Sequence, residues 1–198
     1  MCPNMRMHRD RDLFWKLLEP EHARIQAFCR RLAGNRDDGD DLCQEALARA
    51  WERFVALRDQ KSFKAWLYRI AVNCFKNTRR RAALWRLVGG GNGSAPEPVL
   101  PDPRGAIEAR RLLERAFATI PPEDRALVIL FELEGWTMTE LAAMNGRTES
   151  AMKVRLFRIR RRMREALERY LARCDRKTRI EATLNEEDLC IAAKPNVD

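Results

Sequence analysis

The chain has 198 residues, 45% of them apolar, with 38 Lys and Arg against 29 Asp and Glu, a formal charge of +9 and a pI near 9.7. That length suits one medium or two small domains, and the charge favours a polyanionic partner. No apolar run nears the roughly 20 residues that cross a bilayer, the longest being Ala126 to Phe131.

Six cysteines without a CxxC pair give neither a zinc knuckle nor a redox motif, so reduced thiols are expected, with Cys29, Cys43 and Cys74 packing as small hydrophobes. Cys2 and His8 are too few to hold a metal, and no metal or cofactor is expected. The N-terminal MCPNMRMHRDRD lacks an apolar signal region, which points to the cytoplasm.

Leu13, Phe14, Leu17 and Leu18 begin an amphipathic segment that Pro20 interrupts, and Ile25, Phe28, Cys29 and Leu32 carry its apolar face on to Gly34. This predicts two short helices or one kinked helix. Asp37 and Asp38 are positioned to cap the next helix, whose inward stripe is Leu42, Ala46, Ala50 and Phe54. Asp41, Gln44, Glu45 and Glu52 then point elsewhere, an acidic side in a basic protein. It is either solvated surface or a docking face for a basic partner, with Leu47 and Trp51 adding apolar contact.

A helix from Ser62 to about Trp85 carries Phe63, Trp66, Leu67, Ile70 and Cys74 inward. Its far end holds Lys76, Arg79, Arg80, Arg81 and Arg86, interleaved with Asn73, Phe75 and Asn77. Cations that track a backbone, rings that stack at about 1 to 3 kcal/mol per base, and amides that read base edges are what single-stranded nucleic acid requires.

Val88 to Gly105 reads VGGGNGSAPEPVLPDPRG and is a linker, so the blocks on either side can sit at different places on one partner. Asp102-Pro103 restarts regular structure. A helix over Ala106–Ile120 turns Leu112, Leu113, Ala116 and Phe117 inward; Pro121-Pro122 breaks it, and a second helix runs from Glu123 to Glu134, ended by Gly135.

Thr137 and Glu140 then form the pattern of a capping box, and Leu141, Ala142 and Met144 give a short helix its apolar side. Asn145-Gly146 turns the chain, and Thr148 caps a longer helix with Met152, Leu156, Ile159, Met163, Leu167 and Tyr170 on one face. At about 100° per residue, Ser150, Lys153, Val154, Phe157, Arg158 and Arg161 lie opposite that stripe. From Arg147 to Arg164 the single acid Glu149 stands against Arg147, Lys153, Arg155, Arg158, Arg160, Arg161, Arg162 and Arg164. A short helix, a glycine turn and a basic helix describe a helix-turn-helix whose second helix enters the major groove, rather than a solvated helical hairpin. The tail after Arg173 mixes charges with Ile180, Leu184, Leu189 and Ile191, as a loose helix or a disordered end, and its pattern assigns no role.

The chain resembles the bacterial RNA polymerase sigma factors of the extracytoplasmic-function type. DDLCQEALARAW is similar to their region 2.2, FKAWLYRIAVNCFKN to regions 2.3 and 2.4, and the terminal helix-turn-helix to region 4.2. The resemblance spans about Leu13 to Arg173 and implies an all-α protein of two small helical domains: residues 10–87, a linker at 88–104, residues 105–173 and a tail at 174–198. It implies docking on core polymerase through Asp41, Gln44, Glu45, Leu47 and Trp51. Phe63, Trp66, Asn73 and Asn77, with the cations Lys76, Arg79 and Arg80, would open the −10 element and hold its unpaired bases. Ser150, Lys153, Val154, Phe157 and Arg158 would read duplex at −35, while Arg147, Arg155 and Arg161 hold phosphates. An anti-sigma factor is a further expected partner. Ala151 and Val154 stand where the family often has Thr and Ser, and Arg147 replaces a usually apolar residue. The rivals are an autonomous helix-turn-helix regulator that binds an operator as a dimer, and a nucleic-acid enzyme. An enzyme lacks material here, since the two histidines both fall in the first 22 residues and the carboxylates are dispersed.

Overall fold

The computed structural model describes residues 3–87 and 104–192, with side chains placed for 9–85, 87, 108–174 and 176. The stretch 88–103, which holds most of the expected linker and Asp102-Pro103, lies outside the described residues, as do Cys2 and the side chain of His8. Every element among the described residues is helical.

Helix α1 (Pro3–Ala33) is one helix with Pro20 inside it, which settles the choice left open by the sequence. Pro20 is exposed, so the carbonyl that loses its donor there faces water. Phe14, Leu18, Ile25, Phe28, Cys29 and Leu32 recur on one side and are all buried, holding the helix together across the proline.

Helix α2 (Arg36–Arg53) is capped by Asn35, not by the aspartates: its Oδ1 accepts from the Asp38 N–H at 2.8 Å. Asp37 and Asp38 occupy the first turn, where their charge complements the helix dipole. Gly39 lets α1 and α2 touch, because a Cβ there would overlap the Arg30 backbone. Next to that contact Arg30 forks onto Asp40 at 2.7 and 2.9 Å and holds its carboxyl below the usual range. Cys29 donates to Cys43 inside this seam, and that bond and burial push its thiol up, so it stays protonated.

Two 3-10 turns (Phe54–Ala56 and Gln60–Ser62) lead into α3 (Phe63–Leu87). Phe14, Phe54 and Phe63 meet edge to face, with centroids 5.2, 5.8 and 6.1 Å apart, and form the hub of this first module.

The second module contains α4 (Arg104–Ala118), α5 (Pro122–Glu132), α6 (Met138–Asn145) and α7 (Glu149–Ala192). Leu113, expected inward, is 43% exposed, and Ala116 and Phe117 carry the inner face of α4. Helix α7 runs 44 residues, roughly 66 Å at 1.5 Å per residue. The segment after Arg173 therefore continues the helix as far as Ala192.

The modules do not stand apart: α1 packs on α5, and α3 packs on α5 and α6. Arg125, only 7% exposed, is one joint. It binds both oxygens of Glu114 at 3.1 Å, donates to the Arg31 carbonyl at the end of α1, and lies over the Phe117 ring.

Candidate nucleic-acid interface

The capping box is formed in full. Thr137 Oγ1 accepts from the Glu140 N–H at 3.2 Å, and Glu140 accepts from the Thr137 N–H at 2.8 Å. That backbone bond, followed by Lys64 at 2.9 Å, holds the Glu140 carboxyl below its usual range. Gly146 takes φ +62°, a left-handed conformation that L side chains rarely adopt, and so turns the chain between α6 and α7. Thr148 Oγ1 accepts from the Ala151 N–H and opens α7.

Met152, Leu156 and Ile159 are buried under α7, which fixes the opposite face outward. Arg147, Ser150, Lys153, Val154, Phe157, Arg158 and Arg161 are all exposed, Phe157 by 64%. With Val154, 49% exposed, Phe157 puts apolar surface within this field of cations. Arg155 differs. It is half-buried and its guanidinium is engaged by Asp124 of α5 at 2.7 and 2.8 Å, so it is not a free phosphate contact in this arrangement. Arg161 reaches Glu165 at 3.4 Å, whereas Arg158 has no ion pair among the described residues. Arg158 lines two open depressions beside the helix, one with Arg147, Ser150 and Val154, the other with Arg161 and Arg162.

On α3 the expected group divides. Asn73, Arg79 and Arg80 are exposed, and Asn77 and Trp66 are partly buried. Phe63 is 3% exposed in the phenylalanine hub and offers no ring face to a base; it supports Trp66, whose ring centroid lies 5.9 Å away. Phe75 is buried as well, with Arg79 above its ring. Lys76 is held by Glu123 of α5. Burial pushes Glu123 up, but Lys76 and a backbone bond outweigh it, and its carboxyl lies below the usual range.

On α2, Asp41 and Gln44 are exposed, Glu45 is half-buried and paired with Arg49 at 2.6 Å, and Leu47 packs partly on the core. Trp51 is 40% exposed with its ring 5.3 Å from Phe14. Trp15, which the sequence did not single out, touches the same Phe14 ring at 5.8 Å and is 57% exposed. Both rings meet the Phe14 ring, so they add exposed aromatic surface beside the acidic stripe. The signal for Trp15 is a large aromatic one position off the buried stripe of α1.

Among the described residues no group of three or more His, Cys, Asp and Glu could hold a metal, and no helix is long and apolar enough to cross a membrane.

The fold and these faces define a helical DNA-binding protein of two modules, the second ending in a helix-turn-helix. Family models described as Sigma-70 region 2 and as Sigma-70, region 4 match residues 17–84 and 110–163. The chain is 31% identical to the ECF RNA polymerase sigma factor SigL of Mycobacterium tuberculosis, over 77% of this chain and 88% of that one. It is 32% identical to SigE of Mycolicibacterium smegmatis over 79% of this chain, and spans only 62% of that relative's length. Among solved structures it is similar to the sigma factor RpoE in complex with the anti-sigma factor NepR from Bartonella quintana. The TM-score there is 0.58 and the identity 26%, over 78% of this chain and 96% of that one. CnrH shares the fold, with a TM-score of 0.53 and 21% identity.

The chain belongs to the ECF sigma factors of RNA polymerase. That membership does not favour the autonomous operator-binding regulator.

Proposed function

We propose that this chain binds core RNA polymerase through the outward stripe of α2 and directs it to promoters, without a catalytic site of its own. Asp41, Gln44, Leu47 and Trp51 form the docking stripe, Glu45 flanks it, and Trp15 extends its apolar end through the shared Phe14 ring. An apolar anchor rimmed by charge suits a basic helical partner, and it gives an isolated DNA-binding regulator nothing to do. Helix α7 reads duplex at −35 with Ser150, Lys153, Val154, Phe157 and Arg158 against base edges, while Arg147 and Arg161 hold phosphates. On α3, Asn73 and Asn77 take unpaired −10 bases beside Trp66, with Arg79, Arg80 and, once released, Lys76 along the backbone. Flipping a base costs a few kcal/mol, which stacking and hydrogen bonding can offset.

The reading divides the chain into a first module at 10–87, a linker at 88–104, a second module at 105–173 and a tail at 174–198. It places the protein in the cytoplasm with the polymerase. The relative solved with NepR supports an anti-sigma factor as a further partner.

The observation that carries this is the coexistence, in one chain, of an exposed basic reading face on α7 and an exposed acidic and aromatic stripe on α2. In-vitro transcription with purified core enzyme on a promoter library tests it. Start sites that appear only when the chain is added are expected; operator-like binding without any stimulated transcription would overturn the proposal.

A further inference from the structure

Helix α3 outruns the body on which it packs. Phe75 is its last buried side chain, and from Thr78 to Leu87 every described side chain is exposed. Three of them are large and apolar: Leu84, Trp85 and Leu87 are 66%, 69% and 83% exposed. Helices in water owe most of their stability to an apolar face that packs, so an overhang of this make-up calls for a cover in the working complex.

Charge and continuity identify the cover. No Asp or Glu occurs between Phe63 and Leu87, and Arg79, Arg80 and Arg81 stand at the root of the overhang, so its complement is an anion. Asn73, Asn77, Arg80, Leu84 and Leu87 follow one another at steps of four and three residues and share one face of α3, the face assigned above to unpaired −10 bases. At 1.5 Å per residue, Leu84 and Leu87 lie roughly 16 and 21 Å beyond Asn73, the length of about five and six base pairs at 3.4 Å each. The chain leaves α3 towards the module that takes −35, so the overhang points to the −35 side of the melted bases.

We infer that the last turns of α3 enter the major groove of the duplex just upstream of the −10 element, where Leu84 and Leu87 lie against thymine methyl groups. Leucine has no group that can hydrogen-bond a base edge, and the 5-methyl of thymine is the apolar feature that a base pair offers in this groove, which is wide enough for a helix. Arg81 and Trp85, four residues apart on the flank of the same face, follow the sugar–phosphate backbone and add affinity without base preference. Asn73 and Asn77 thus hold the melted strand, and Leu84 and Leu87 read its paired neighbour. The inference rests on the assignment of Asn73 and Asn77 to the −10 bases.

The test uses the full chain reconstituted with core enzyme, on a promoter from which it initiates. About eight base pairs upstream of −10, enough to cover the reach of Leu87, are set to A·T and T·A pairs carrying either thymine or uracil. Uracil removes the methyl and keeps every hydrogen-bonding group. One buried methyl is worth about fourfold in binding, so the holoenzyme should prefer the thymine duplex by roughly 4- to 16-fold in a competition gel shift. Leu84→Ala combined with Leu87→Ala should bring that ratio close to one while the variant still selects the same start site, since both positions are exposed and the fold does not depend on them. A wild type that ignores the methyl would overturn the inference, as would a preference that survives the double variant. Loss of core-enzyme binding by the double variant in the absence of DNA would also overturn it and give the overhang to the polymerase. Faithful initiation without discrimination removes only this contact, whereas a wild type that starts transcription nowhere sinks the −10 assignment and the inference with it.

Discussion

Arg158 and Arg155 sit three residues apart on α7, and the structure predicts that they will not behave alike. Arg158 is exposed and has no ion pair among the described residues, so it can reach a base edge without breaking a contact. Arg155 must first leave Asp124, whose side chain is 15% exposed and would be stranded beside DNA. A bidentate arginine contact discriminates by about 1 to 3 kcal/mol, so Arg158→Ala should weaken promoter binding by roughly 5- to 150-fold. For Arg155→Ala the missing DNA contact is offset by the ion pair that no longer has to break, and the change in binding should stay below about 1 kcal/mol. The assay is fluorescence anisotropy of the reconstituted holoenzyme on a promoter with an intact or a scrambled −35 element. Arg158→Ala should act on the intact promoter alone. Equal losses on both would make Arg158 a phosphate contact, and an Arg155 loss as large as that of Arg158 would refute the ion-pair reasoning.

Reversing Asp41 and Glu45 to Lys should abolish co-purification with core polymerase, and Trp15→Ala should weaken it; retention of both complexes would remove the α2 face as the docking site. Asn73→Ala should lower permanganate-detected melting at −10 while closed-complex binding is kept, and unchanged melting would take Asn73 out of base capture. Glu140 is held below its usual range first by the Thr137 N–H and then by Lys64. A depressed carboxyl contributes stability that is present above its unfolded value, about 4.3, and is lost as pH falls through the lower folded value. The melting temperatures of wild type and Glu140→Gln should therefore differ at pH 6 and converge in acid, and a gap that does not depend on pH would contradict the bond.

What was legible in the sequence is what a few neighbouring residues decide. The capping box at Thr137 and Glu140, the left-handed turn at Gly146 and the buried face of α7 are each set within one or two turns of helix, and each is present. Phe63 teaches a sharper lesson. Helical periodicity turns it inward, whereas the family resemblance places it near the −10 bases, and the structure buries it among Phe14 and Phe54. The local physical pattern prevailed because packing three rings edge to face removes more apolar surface than an open groove could. Phe75 fell the other way for the same reason: its cationic neighbours suggested a stacking ring, yet its own position on α3 faces the core.

The contact between modules had no such signature, and its residues show why. Trp136 precedes the capping box, a place where a hydrophobic staple alone would account for it. Glu140 completes that box, and Glu123 sits in the first turn of α5, where any acid complements the dipole. Each has a sufficient local duty, so nothing in the sequence marks its second partner on α3.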